Sequence, residues 1–189
     1  MPRIAYLEPD QVKPEDQDIM AGNYSAFKAM AHSPATCRQF RAMVYHLKTT
    51  ALDPRLRELA LIQVGWLSQC RYEWFHHVKT GLESGVSEED IRIIIDGSPQ
   101  AYARLDEPAR LVLEATCQMY IGPASAQIVT ALERVLGAQA LVDLIVAMGF
   151  YVGGVRILGS FDLDLEPQYE QYTKRFPLRA SGLAKESTQ

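Results

Sequence analysis

Residues 54–77 read PRLRELALIQVGWLSQCRYEWFHH, and the fold turns on how this stretch divides into helices. Asp53-Pro54 opens the first one. The aspartate can accept a free amide of the first turn, and proline suits a first helical position because it has no N–H to leave unpaired. Leu56, Leu59, Ala60, Ile62, Gln63 and Trp66 then cover more than one side of the helix. A helix apolar on several sides belongs inside a bundle. Ser68-Gln69 breaks it, so Cys70 stands near the N-terminus of a second helix. Counting about 100° per residue from Cys70, Glu73 falls at roughly −60° and His77 at roughly −20°, which is one face. Glu73 and His77 are also four residues apart, so the carboxylate can hydrogen-bond the imidazole and set its tautomer. Glu58 lies about three turns earlier and can fold back onto the same place.

On the N-terminal side, Pro2, Pro9 and Pro14 predict an extended arm over residues 1–14, followed by a short helix from Glu15 to about Gly22. Ser33-Pro34 opens a further helix with Phe40, Met43, Val44 and Leu47 as its buried stripe and His46 at the edge. On the C-terminal side, Ser87 to Asp90 is a near capping box for a helix running from Ile91 to Asp96, ended by Gly97-Ser98-Pro99. Asp106-Glu107-Pro108 opens a helix to Gly122 that contains Cys117 as a packing residue, and Ser125 caps one ending near Gly137. The last long helix, Ala138 to about Gly159, presents Leu141, Leu144, Ile145, Met148 and Val152 to the core. The tail should wrap a neighbouring surface and fray at its Ser/Thr/Lys-rich end. No strand pattern or long repeat is visible. The expectation is an all-α protein, a compact helical bundle of about seven to nine helices. It forms one domain over residues 1–189, with a core motif region at about 40–125, an N-terminal arm 1–14 and a C-terminal tail 166–189.

The formal charge is −4, from 19 basic and 23 acidic residues, and the basic residues are scattered. That is no footprint for nucleic acid. Cys37, Cys70 and Cys117 are odd in number and widely spaced, which suits neither a disulfide framework nor a metal-binding Cys-x-x-Cys. The acidic start lacks a signal-length apolar stretch. The longest apolar run, Ala140 to Leu158, is interrupted by Asp143, three glycines and Arg156, and reads as a core helix rather than a membrane span. A cytoplasmic protein without membrane or nucleic-acid partners is expected.

The segment ELALIQVGWLSQCRYEWFHHVKTGLESGVSEEDI, with its flanks over roughly residues 40–125, resembles the carboxymuconolactone decarboxylase family, which includes the alkylhydroperoxidase D-like proteins. The redox branch of that family carries a glutamate and then Cys-x-x-Cys-x-x-x-His. The matching positions here are Glu58, Cys70, Glu73 and His77. Glu73 thus stands where the peroxide-attacking cysteine is expected, and a dithiol peroxidase needs two thiols within bonding distance. The resemblance implies an alkylhydroperoxidase D-like fold, a pocket built from these four residues, and a homo-oligomer (dimer, trimer or hexamer) joined through central helices.

Three kinds of chemistry suit such a site. One is cofactor-free acid/base catalysis on a small organic acid or lactone. Burial would push the Glu73 carboxyl up and His77 would push it down, leaving a pair that shares a proton near neutral pH. Trp66, Tyr72 and Trp74, with Phe75, would line the substrate's apolar part, and Arg156 would anchor a carboxylate, unless it serves a salt bridge within the bundle. The second is a one-cysteine peroxidase, with Cys70 activated by the helix terminus and by His77. The third is a non-catalytic or metal-binding module using Glu58, Glu73 and His77. In each, His76 is the partner-facing or surface member of the histidine doublet. Acid/base chemistry without cofactor or metal is the reading the residues favour.

Overall fold

The computed structural model describes residues 1–178. In chain order its helices are α1 (Ser25–Met30), α2 (Pro34–Leu47), α3 (Pro54–Ser68), α4 (Arg71–Glu83), α5 (Glu88–Asp96), α6 (Pro99–Tyr102), α7 (Glu107–Ile121), α8 (Ala126–Leu136), α9 (Ala138–Phe161) and α10 (Glu170–Arg175). Short 3-10 segments occupy Pro9–Gln11, Pro14–Met20 and Pro167–Tyr169, and no strand occurs among the described residues. The bundle is carried by the seven helices longer than six residues.

α3 is the axis. Asp53 accepts the Leu56 amide at 3.0 Å, and every residue from Leu56 to Trp66 is buried. Such a helix needs neighbours on all sides, and α4, α5, α7 and α9 supply them. Gln69 adopts a left-handed conformation (φ 53°) and turns the chain directly into α4. The two helices come unusually close because of Gly65. A Cβ there would sit 3.0 Å from the Trp74 backbone N and Cα. Arg55, at the start of α3, ties two other helix N-termini to it, pairing with Asp90 at 3.2 Å and with Asp106 at 2.7 Å. Asp90 belongs to the reciprocal capping box of α5 with Ser87, and Asp106 caps α7 through the Ala109 amide.

α5 begins at Glu88, a turn before the expected Ile91, because the capping box itself defines the first turn. α6 was not expected. Ser98 caps the Ala101 amide and Pro99 takes the first helical position, so the segment that ends α5 also starts a single turn.

The arm 1–14 is not wholly extended, since it contains the 3-10 turn Pro9–Gln11. It is pinned to the end of α9. Arg3 N–H donates to Phe161 O at 2.8 Å, and Asp164 N–H donates to the Tyr6 hydroxyl oxygen at 2.8 Å. The expected helix after it is a 3-10 segment. The described part of the tail wraps the neighbouring surface of α4. Leu165, Tyr169 and Phe176 are buried, and the Phe176 carbonyl accepts the indole N–H of Trp74 at 2.9 Å. The fraying expected of the Ser/Thr/Lys-rich end concerns residues 179–189, outside the described residues. α9 is, by length and composition, apolar enough to cross a membrane, with mean hydropathy 1.8 over its best window. Here it packs along α3, α7 and α8.

Candidate active site

The hairpin of α3 and α4 brings Glu58 and His77 together, although they are nineteen residues apart. His77 Nδ1 lies 2.8 Å from Glu58 Oε2, and His77 Nε2 lies 3.0 Å from Glu73 Oε2. The other oxygen of Glu58 accepts from Arg57 Nε at 3.0 Å. The result is a chain of Arg57, Glu58, His77 and Glu73 in which Glu58 is 0 %, His77 6 % and Glu73 7 % exposed. The Tyr151 ring of α9 meets the imidazole edge-on at 4.9 Å.

Burial opposes a charge on His77, but Glu58 and Glu73 outweigh it and raise the imidazole to about 9. His77 is therefore an imidazolium at neutral pH, with one N–H aimed at each carboxylate. Burial likewise opposes the charge of Glu58, and His77 with Arg57 reverses that, holding the carboxyl below its ordinary range. With both ring nitrogens engaged, His77 offers no lone pair to an ion. Among the described residues no cluster of three or more His, Cys, Asp or Glu side chains is arranged to hold a metal.

A cavity of about 140 Å³ opens beside this chain, and Glu73 and His77 are in its wall. The remainder of the wall is largely aromatic, from α1 (Phe27), α2 (Phe40, Tyr45), α4 (Tyr72) and α9 (Phe150, Tyr151), with Lys48 just past the end of α2. This explains why Phe40, Met43 and Val44, the expected buried stripe of α2, are only half-buried. Phe40 and Val44 face the cavity, and only Leu47 of the stripe reaches the core. His46 is exposed.

Several expected site residues lie elsewhere. Trp66 and Trp74 pack together in the hydrophobic core, their rings tilted at 46° with centres 5.3 Å apart, and are absent from the cavity wall. Their place on α3 and α4 turns them toward the bundle interior, away from the face that carries Glu73 and His77. Arg156 is exposed, where it donates to the Val152 and Tyr120 carbonyls and covers the Tyr120 ring. Of the expected substrate-binding set, Tyr72 alone lines the cavity.

Cys70 is the N-cap residue of α4, as its position suggests. Its thiol, however, is not activated. Burial pushes it up to about 11, and the Glu73 carboxylate adds to that against the backbone amides of Tyr72 and Glu73. It packs against buried apolar residues of α3, α4 and α9, outside the cavity wall.

Glu58 pairs with its neighbour Arg57. His76 is no surface residue, since its Nε2 lies 2.7 Å from Glu166 Oε2 and its ring stacks with Tyr72 and Tyr169. Lys48, Tyr151 and Glu166 escaped the sequence reading because each comes from an element remote from the motif.

Residues 33–110 match the model of the Carboxymuconolactone decarboxylase family. The structure is similar to that of an alkylhydroperoxidase AhpD core, an uncharacterized peroxidase-related protein from Ralstonia eutropha JMP134. The TM-score is 0.72 at 15 % sequence identity, over 89 % of this chain and 94 % of that one. A search of curated proteins found no match. The matched segment spans α2 to α6 and holds Glu58, Cys70, Glu73 and His77, and the chain has an AhpD-like all-α fold.

Proposed function

We propose that this chain is a cofactor-free acid/base enzyme acting on a small, partly apolar organic acid or lactone. The observation that carries the reading is the placement of one carboxylate. Glu73 faces a small aromatic cavity and is backed by an imidazolium, whereas the only cysteine of the motif sits outside the cavity with its thiol pushed up to about 11. A cavity near 140 Å³ accepts a ligand about the size of a benzene ring.

In an isomerisation, Glu73 takes a proton from the carbon beside the substrate carbonyl. The C–H electron pair becomes a C=C bond and the carbonyl π pair moves onto oxygen. Glu73 then returns the proton at a different carbon. In a decarboxylation, the bond to the leaving carboxyl breaks and its electron pair forms the enolate. Glu73 passes a proton received from His77 Nε2 to carbon, and His77 regains its proton from water. Glu58 holds the imidazole through Nδ1 in both cases and keeps it able to give and recover that proton. Lys48 is the cation in the cavity wall suited to a substrate carboxylate, the role first given to Arg156. The proposal carries with it a cytoplasmic enzyme of the lyase or isomerase kind.

The test follows turnover by NMR with a small β-keto acid and a β,γ-unsaturated lactone. Glu73→Gln is expected to lower the rate by about 10²- to 10⁴-fold, the ordinary worth of a positioned acid/base group, while Cys70→Ser leaves it nearly unchanged. Sustained consumption of peroxide with a thiol reductant, lost in Cys70→Ser, would replace this reading with a one-cysteine peroxidase.

A further inference from the structure

His76 lines the same cavity as Glu73 and His77, and the chemistry above does not use it. Its surroundings are built with care for one orientation. The ring stacks with Tyr72 at 4.2 Å and with Tyr169 at 3.9 Å between ring centres. Its Nε2 is 2.7 Å from Glu166 Oε2, and Glu166 is itself locked. Glu166 Oε1 accepts the Tyr72 hydroxyl at 3.0 Å and the Ser25 amide at 2.7 Å, and the residue is almost fully buried. Stacking fixes the plane of the imidazole, and the carboxylate claims Nε2–H. Nδ1 is left without a protein partner among the described residues. An imidazole oriented through one nitrogen by a carboxylate, with the other left for a ligand, is the arrangement that acid/base chemistry uses. His76 and Glu73 are three apart on α4, so their Cβ atoms are about 5–6 Å apart and can address neighbouring atoms of one small ligand.

We propose that His76 is a second acid/base residue of this cavity, held by Glu166 as its positioning residue, and that it exchanges the proton on the ligand's oxygen while Glu73 exchanges the one on carbon. The inference rests on the acid/base reading of the site. The step balances without a co-reactant. Glu73 takes the carbon proton, the C–H pair forms the C=C bond, and the carbonyl π pair goes to oxygen, which receives the Nδ1 proton of protonated His76. The products are an enol, a neutral Glu73 and a neutral His76, and the reverse transfers restore all three. A residue that merely fastened the C-terminal segment would need Glu166 but no place in the cavity wall.

Phenol tests this directly, because it is a planar ring with an enol-like hydroxyl and suits a cavity of this size. In the full-length protein labelled with ¹⁵N-histidine, phenol is expected to move the Nδ1 resonance of His76 and leave its Nε2 resonance in place. His76→Gln should weaken phenol binding up to about tenfold, the equivalent of one hydrogen bond. Glu166→Gln should let the ring populate both tautomers. The Nδ1 response should persist in Glu73→Gln, which separates ligand contact at His76 from the role of Glu73. Phenol that perturbs Tyr151 and His77 but not His76 would make His76 a staple only and leave the Glu73 reading untouched. No binding at millimolar phenol would overturn both. Should His76→Gln loosen the fold, the wild-type Nδ1 shift decides by itself.

Discussion

Taking away the His77 imidazole would leave Glu58 and Glu73 buried side by side without the cation that reconciles them. Breaking a buried pair from one side costs about 3–5 kcal/mol, so His77→Ala should lose that much stability in urea denaturation. The same group sets a pH dependence. Its folded value, about 9, lies above the ordinary imidazole value of 6.5. The folded state therefore binds more protons between those values, and stability should fall as pH rises through that window. Glu58 acts in the opposite range, because its carboxyl is held below the ordinary 4.5 and its contribution is lost on acidification. Melting temperatures measured from pH 5 to 9.5 should decline above about pH 6.5, and the decline should vanish in His77→Gln. Lys48 makes a separate prediction. If it binds a substrate carboxylate alike in ground and transition state, Lys48→Ala raises KM and spares kcat. The i,i+4 meeting of Glu73 with His77 could be read from spacing, because a helix guarantees it. The burial that pushes the Cys70 thiol up could not, since helix position alone argues for the opposite direction.

Between elements, the contact of α3 with α4 is the most sensitive to substitution. Alanine gains about 1 kcal/mol over glycine in a helix, while overpacking a tight site costs about 1–3 kcal/mol. At Gly65 the obstacle is the Trp74 backbone at 3.0 Å, which moves only if α4 moves. At Gly81 it is the Cδ1 methyl of Ile62 at 2.7 Å, the end of a flexible side chain. Gly65→Ala should therefore be the more destabilising of the two, by chemical denaturation, and should also lower turnover by shifting Glu73 and His77 away from Glu58. Equal losses at the two glycines would show that the helices slide freely. Helix starts were legible at this scale because Asp53, Ser87, Asp106 and Ser125 make their capping bonds within three residues. The α2 stripe was misjudged because periodicity marks an apolar face without saying whether a core or a cavity lies beyond it.

For the molecule as a whole, the −4 charge and the helical architecture leave a bundle in which α1, α2, α4 and α9 enclose the cavity. Self-association, implied by the family resemblance, is a proposal that sedimentation equilibrium decides. A single species at the chain mass of 21.2 kDa removes it, and a heavier species supports it.

The amino-acid sequence by itself determined the long helices, the caps at Asp53, Ser87, Asp106 and Ser125, the central position of α3 and the shared face of Glu73 and His77. All of these rest on interactions within a turn or two of chain, or on the 3.6-residue period. Only the tertiary structure decided which remote groups join them: Tyr151 from α9, Lys48 beyond α2, and Glu166, ninety residues beyond His76. It also decided that Trp66 and Trp74 fill the core and that Arg156 points to solvent. Contacts between distant segments depend on how helices pack, and packing depends on the shape of every face at once.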